Sequence, residues 1–346
     1  MEMEGISFTS HGMAVLDEIR IPGQMPLTDV LGGSGAYATL GARLFLPPPS
    51  SRSVGWLLHI GDDFPEHVLD RLESWETTLV VKKELAHPST RGLLEYKDTS
   101  FGPKDFRYTT ALDAVEHESL KEIPILASKA SHYLEAPEKM ETLISEHLSL
   151  RNKAGILGRP LVIWEPAPLS CKFENLESCL YAARIVDVFS PNHLELMKLF
   201  GKQPGVFDKG EIEALVSRLL ESGVGPDGNG IVLIRAGEHG CLVRARHIDP
   251  VWLPPFYRTP PDGTQHEKVI DPTGAGNTFL GAWAVGYLIT ESAFEAACYG
   301  AVGASFALEQ VGMPERGDAD KEVWNGVDVL SRLREYLESV GLGKQS

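Results

Sequence analysis

Basic charge is scarce in this chain. Its 346 residues carry 32 Lys plus Arg against 48 Asp plus Glu, a formal net charge of −16. Neutralising a phosphate backbone needs clustered cations, so broad electrostatic binding to nucleic acid is disfavoured, although a local basic groove stays open. Long apolar runs are missing too. No uninterrupted stretch approaches the roughly 20 residues of a spanning helix, so no membrane-spanning helix is expected. The opening residues MEMEGISFTSHG hold no basic segment followed by an apolar core, so no secretory leader is expected. The closing GLGKQS carries no lipidation or retrieval signal. Cysteine is limited to Cys171, Cys179, Cys241 and Cys298, with no CxxC pair. Free, mostly buried thiols in a reducing compartment are expected, rather than a disulfide framework or a metal site. A soluble cytoplasmic protein follows, the nucleus being the other reducing compartment. The common nucleotide motifs are also absent. There is no P-loop of the form GxxxxGKS or GxxxxGKT, no GxGxxG after a strand, and no kinase HRD or DFG.

What is present is ordinary globular composition, 43% hydrophobic and 23% charged. Short apolar runs alternate with helical patterns. Strands are expected at Ile6 to Val15, Trp56 to Ile60, Ala127 to Leu134, Leu161 to Trp164, Ile185 to Phe189, Ile231 to Arg235 and Cys241 to Val243, with further strands between 77 and 110. Helices are expected from Gly35 to Phe45, Pro65 to Trp75, Ala136 to Leu150 and Val323 to Val340. Residues 221 to 230 read as a surface loop. This alternation implies a mainly parallel sheet covered on both faces.

The sharpest feature is Val269-Ile270-Asp271-Pro272-Thr273-Gly274-Ala275-Gly276-Asn277-Thr278-Phe279-Leu280-Gly281. A strand end runs through a glycine-rich turn into an apolar helix. Gly274 and Gly276 permit backbone conformations that a β-carbon would obstruct. The free N–H groups of a helix start then converge on one place, which suits a phosphate. The glycines alone would serve a tight strand-to-helix connection equally well.

The segment Asp271 to Ala282 resembles the second signature of the PfkB, or ribokinase-like, carbohydrate kinases, DTxGAGDxFxxG. Further landmarks agree in order over roughly residues 6 to 315. The strand ending in Asp17 resembles a substrate-binding strand, and Gly32-Gly33-Ser34-Gly35-Ala36-Tyr37 resembles the GGxxxN region. Gly61-Asp62-Asp63-Phe64 resembles GxDxxG, Asn192-His193-Leu194-Glu195 resembles NxxE, and Gly237-Glu238-His239-Gly240 resembles the GxxG turn beside ATP.

Three positions depart from the family pattern. The last residue of GAGD, the catalytic base, is Asn277 here. A neutral amide cannot accept the hydroxyl proton, and losing a general base typically costs about 10² to 10⁴ in rate. Tyr37 stands where sugar kinases often carry a substrate-contacting Asn. Arg235 stands where Thr is usual before the GxxG turn. DPTGAGN together with Ala304-Ser305-Phe306-Ala307-Leu308-Glu309-Gln310-Val311-Gly312 is similar to a fungal subfamily named for maintenance of the killer virus, whose members also carry Asn after GAG.

The resemblance implies one ribokinase-like α/β domain over residues 1–346: a three-layer sandwich around a mostly parallel sheet, with a small β lid from about 18–30 and 88–112. It implies ATP and Mg²⁺, with K⁺ as a candidate, and phosphorylation of a hydroxymethyl group on a sugar, nucleoside or related small molecule. Asp17, Gly32, Gly33 and Tyr37 would meet substrate. Gly274, Ala275 and Gly276 would form the anion hole around Asn277. Asn192, Glu195, Gly237, Gly240 and Thr273 would meet ATP. Asn192 and Glu195 would hold Mg²⁺, although an ordinary capped helix explains their spacing too. Asp271 and Thr273 would flank a monovalent cation. The lid could pair two subunits. Weak turnover that rises in Asn277→Asp is one expectation. A pseudokinase that binds a nucleotide, a metabolite or a protein partner is the other.

Overall fold

Valine, isoleucine and tryptophan alternate along the central strands, and the structure, a computed structural model, sends alternate residues to opposite faces of one sheet. It describes residues 5–84, 86–98, 104–110, 123–203, 205–317 and 322–342. The strands are β1 Phe8–Ser10, β2 Val15–Arg20, β3 Leu27–Gly32, β4 Val54–Ile60, β5 Thr78–Lys83, β6 Arg91–Tyr96, β7 Lys104–Tyr108, β8 Ala130–Glu135, β9 Leu161–Pro166, β10 Val188–Phe189, β11 Ile231–Arg235, β12 Cys241–Ala245, β13 Ile248–Leu253, β14 Val323–Trp324 and β15 Val327–Asp328. The helices are α1 Ser34–Leu44, α2 Glu66–Glu73, α3 Ile123–Leu126, α4 Pro137–Lys153, α5 Leu176–Ala183, α6 His193–Leu199, α7 Lys209–Ser222, α8 Ala275–Thr290, α9 Ala293–Leu308 and α10 Val329–Ser339.

Among the described residues the main sheet has nine strands in the order β13-β12-β11-β10-β9-β8-β1-β4-β5. Every pair from β11 to β5 is parallel, while β12 and β13 run antiparallel at one edge. On one face Ile163, Val188, Leu233 and Val243 pack with α1, α2, α8, α9 and α10. On the other, Val162, Trp164, Phe189, Val232 and Ile234 pack with α4, α5, α6 and α7. This is the expected three-layer α/β architecture. The apolar helices α8 and α9 run through the first core, and α8 lies close enough to α1 that a β-carbon on Gly281 would stand 1.8 Å from the Ala38 carbonyl oxygen.

A second sheet has the order β3-β2-β6-β7. Its outer pairs are antiparallel and its central pair, β2 with β6, is parallel. Ile19, Ile21, Leu94 and Tyr96 give it a small core of its own. It is the expected lid with shifted bounds: β2 begins before residue 18, β3 ends after 30, and residues 99–103 and 111–112 of the second segment lie outside the described residues. Gly61-Asp62-Asp63 ties the lid to the main sheet. Asp63 accepts from the Ser89 N–H at 2.6 Å and from Arg91 Nε at 2.8 Å, and Arg91 also reaches Asp29 at 2.8 Å.

Two elements differ from the pattern reading. Ile6 to Val15 is not one strand. β1 ends at Ser10, and the chain crosses to the lid sheet before β2 begins at Val15. The segment from Val323 is not helical at its start. Asn325 and Gly326, at φ 50° and 73°, turn the hairpin of β14 and β15, and α10 begins only at Val329 with Asp328 as its cap. The four cysteines are free and buried, and burial pushes the Cys179 and Cys298 thiols up to about 12.

Candidate active site

The carboxyl ends of parallel strands are where open α/β sheets place ligands. Ser10 closes β1, Glu165 lies at the end of β9, Ser190 follows β10 and Arg235 closes β11. The N-terminus of α8 faces this row. Gly274 caps α8 at φ 75°, a left-handed conformation that suits glycine; the Ala275 N–H donates to the Pro272 carbonyl at 3.3 Å, while those of Gly276 and Asn277 lie in the first turn with no preceding helical turn to accept them. Gly276 and Asn277 thus present backbone donors at the position expected for the anion hole. Asp271 clasps the turn beneath it: its Oδ1 accepts from the Thr273 N–H at 2.9 Å, from the Thr273 hydroxyl at 2.6 Å and from the Tyr96 hydroxyl at 2.8 Å. Tyr96 belongs to the lid strand β6, so one hydroxyl connects the lid to the glycine turn.

The structure brings Asn277 to a buried carboxylate. Its Nδ2 donates to Glu165 Oε2 across 2.5 Å. The other oxygen of Glu165 meets Arg235 Nη1 at 2.9 Å, and His132 Nε2 lies 3.6 Å from Oε2. His132 is held in turn by the Ser10 hydroxyl at 3.0 Å. Burial raises the Glu165 carboxyl, but Arg235 and His132 outweigh it and the net direction is down. Arg235 also donates to the Ser190 carbonyl at 2.8 Å, and its guanidinium lies against the hole. A β-carbon on Gly276 would stand 2.2 Å from Arg235 Nη1.

Tyr37 covers the other hole glycine. It is 2% exposed, and a β-carbon on Gly274 would stand 2.2 Å from its ring. Burial drives the Tyr37 phenol well above its usual value, with the nearby carboxylates of Asp271 and Asp17 adding to the effect. Asp17 lies buried on β2 between two glycines of neighbouring strands. β-Carbons on Gly32 and Gly92 would stand 2.2 and 2.4 Å from its oxygens. Gly33, at φ 94°, turns the chain into α1 against the Met13 carbonyl. Asp17, Gly32, Gly33 and Tyr37 thus share one neighbourhood with Gly274 and Asp271.

Asn192 and Glu195 form a reciprocal capping box at the start of α6. The Asn192 side chain accepts the Glu195 N–H at 2.9 Å, and Glu195 accepts the Asn192 N–H at 2.8 Å. Glu195 Oε2 lies 3.9 Å from Arg235, and burial raises its carboxyl, with Glu165 adding and Arg235 opposing. Among the described residues no cluster of three His, Cys, Asp or Glu could hold a metal ion. Gly237 and Gly240, at φ 57° and 86°, shape the turn between β11 and β12, where His239 stacks on Phe207 at 3.7 Å. The sequence reading missed Glu165, His132 and Ser10. Their signal was position: Glu165 directly follows the apolar run Leu161 to Trp164 and so stands at a strand's carboxyl end.

A model described as pfkB family carbohydrate kinase matches residues 25–315. The chain belongs to the PfkB carbohydrate kinase family. Two fungal relatives span nearly all of it. An uncharacterized protein of Schizosaccharomyces pombe is 31% identical over 342 residues, covering 96% of this chain and 93% of its own length. The protein MAK32 of Saccharomyces cerevisiae is 30% identical over 345 residues, covering 96% and 92%. The likeness to the maintenance-of-killer group thus extends across the chain. Among solved structures, a ribokinase from Giardia lamblia superposes with a TM-score of 0.70 at 16% identity, covering 98% of this chain and all (100%) of that one. A putative ribokinase II from E. coli, in complex with ATP and Mg²⁺, superposes at 0.67 and 16%, covering 97% and 99%. These identities speak for the fold, which is ribokinase-like.

Proposed function

We propose that this PfkB member is a slow phosphotransferase that uses ATP with Mg²⁺ to phosphorylate a hydroxymethyl group of a small polyol, sugar or nucleoside. The observation that carries the reading is the glycine-capped start of α8, with Asp17 close by on the lid sheet. Phosphoryl transfer depends mostly on positioning and charge stabilisation, and the helix start supplies both through backbone donors. In this reading Asp17 and Gly33 orient the hydroxyl-bearing substrate, and Gly237 and Gly240 open the turn beside the nucleotide. Glu195 and Asn192 are the residues that would hold Mg²⁺, which would neutralise charge on the phosphates. Asp271 and Thr273 clasp the turn and are the residues that would flank a monovalent cation. Phe106 and Tyr108, exposed on β7, are the apolar surface that pairing of two lids would bury. Among the described residues no helix is long and apolar enough to cross a membrane.

The occupied hole favours a second reading. Tyr37 lies on Gly274 and Arg235 on Gly276, so the protein's own side chains cover both glycines. A pseudokinase that binds a nucleotide or metabolite without turnover would show this arrangement. ATP consumption by the purified protein, measured with Mg²⁺ over a panel of sugars, polyols and nucleosides, separates the two. Turnover with one substrate supports the kinase. Nucleotide binding without turnover supports the pseudokinase, and binding of neither nucleotide nor panel compound overturns both.

A further inference from the structure

We propose that Glu165 carries the proton-accepting role that Asn277 cannot, and that Arg235 masks it until a phosphate arrives. The inference rests on the phosphotransferase reading above. Three contacts motivate it. Glu165 places a carboxylate oxygen 2.5 Å from the Asn277 amide, one hydrogen-bond length from the position of the family's base. The same carboxylate is paired with Arg235 at 2.9 Å. That guanidinium also abuts Gly276 of the anion hole.

An arginine in this place has two possible anionic partners, Glu165 and an incoming phosphate. In the free protein it holds Glu165 ionised and weakly basic. A nucleotide phosphate in the hole offers Arg235 a second, bidentate partner of higher charge. As the guanidinium turns to it, Glu165 is left buried beside Asn277, and burial then raises its proton affinity. The other charged or titratable groups around it are His132 from β8, Glu195 from α6 and Cys171, whose thiol burial keeps neutral. Asn277 is a positioning residue that holds Oε2 through its N–H. In the reaction the substrate hydroxyl oxygen bonds to the γ-phosphorus, and the bond from that phosphorus to the leaving ADP oxygen breaks. The hydroxyl proton passes to Glu165 and is later lost to water.

The test uses the full chain, wild type, E165Q and E165Q/N277D. It measures binding of a non-hydrolysable ATP analogue with Mg²⁺ by calorimetry in buffers of different ionisation enthalpy, together with turnover. At about pH 6, wild type should take up more protons on binding than E165Q, because only wild type has the unmasked carboxyl to titrate. E165Q should keep the analogue but lose about 10² to 10⁴ of any turnover. E165Q/N277D, which moves the carboxylate to residue 277, should recover it. If E165Q does not fold, R235M/E165Q, which removes both charges, is the reference for proton uptake. Analogue binding with equal proton uptake in wild type and the neutral reference overturns this inference and leaves the phosphotransferase reading standing. Failure of wild type to bind the analogue overturns both. Glu165-dependent uptake in a protein that turns over no substrate supports the unmasking, overturns the proton-accepting role and moves the functional reading to the pseudokinase.

Discussion

Asn277 on α8 and Glu165 at the end of β9 meet across 2.5 Å although 112 residues separate them in the chain. The amide supplies a donor where a carboxylate would have met a second carboxylate. Asn277 is thus matched to its neighbour: Glu165 accepts from it, and Arg235 balances the charge.

Restoring the family residue by itself should therefore destabilise. Asn277→Asp places two carboxylates in contact and removes the donor to Glu165. One of the pair must then protonate or stay repelled. The expected cost is on the order of 2 to 4 kcal/mol, read as a lower unfolding midpoint at pH 8 and a smaller deficit at pH 5. Adding Glu165→Gln should return most of the loss. An Asn277→Asp protein as stable as wild type at both pH values would show that the two side chains do not share this contact in solution.

Tyr37 should act as a plug on the glycine turn. Tyr37→Asn removes a buried ring, at about 3 to 5 kcal/mol for an aromatic truncation, and opens space over Gly274. Gly274→Ala should be worse tolerated, because its β-carbon would meet the ring at 2.2 Å in a left-handed backbone. Thermal unfolding and ligand-panel binding check both. If Tyr37→Asn gains no small-molecule or nucleotide binding, the ring is core rather than plug.

Tyr96 should couple the lid to the hole. Its hydroxyl donates to Asp271, and a hydrogen bond to a charged group contributes about 1.5 to 3 kcal/mol. Tyr96→Phe should speed amide exchange in β6 and in the turn at 271–274 together, while the central strands β8 and β9 keep their protection. Faster exchange in β6 alone would mean the lid and the turn are independent.

His147 should make stability fall in mild acid. It is 1% exposed, contacts the Tyr133 hydroxyl at 2.5 Å, and burial beside Arg151 lowers its pKa to about 4. Between about pH 6.5, the unfolded value, and about pH 4, the unfolded chain binds a proton that the folded chain refuses. Stability should thus be intact above about pH 6.5 and decline as the pH drops, by about 3 kcal/mol at pH 4 from this group. Denaturant melts of wild type and His147→Gln across that range check it, and parallel curves for the two would refute it.

The glycine turn at 274 to 276 and the Gly32-Gly33 turn were readable because each is a local pattern whose residue types follow from backbone conformation, whereas Asp17, expected at a strand's end, lies inside β2. The capping box of Asn192 and Glu195 was readable for the same reason. The start of α10 was misread because the apolar spacing of residues 323 to 340 hid the Asn325-Gly326 turn, which decides the backbone there. Glu165 drew no notice because nothing local distinguishes it from a surface glutamate after a strand.

By itself the sequence determined the alternation of strands and helices, the glycine-rich helix start and the absence of a carboxylate at residue 277. These depend on side-chain period and on backbone conformations available within a few residues. Only the tertiary structure decided what surrounds that asparagine. Parallel strands from distant segments end at one edge, so Ser10, His132, Glu165 and Arg235 gather there, with Tyr37 reaching the turn from α1. Whether a buried charge is paired, masked or free depends on neighbours brought together by sheet order, and strand spacing in the chain carries no record of that order.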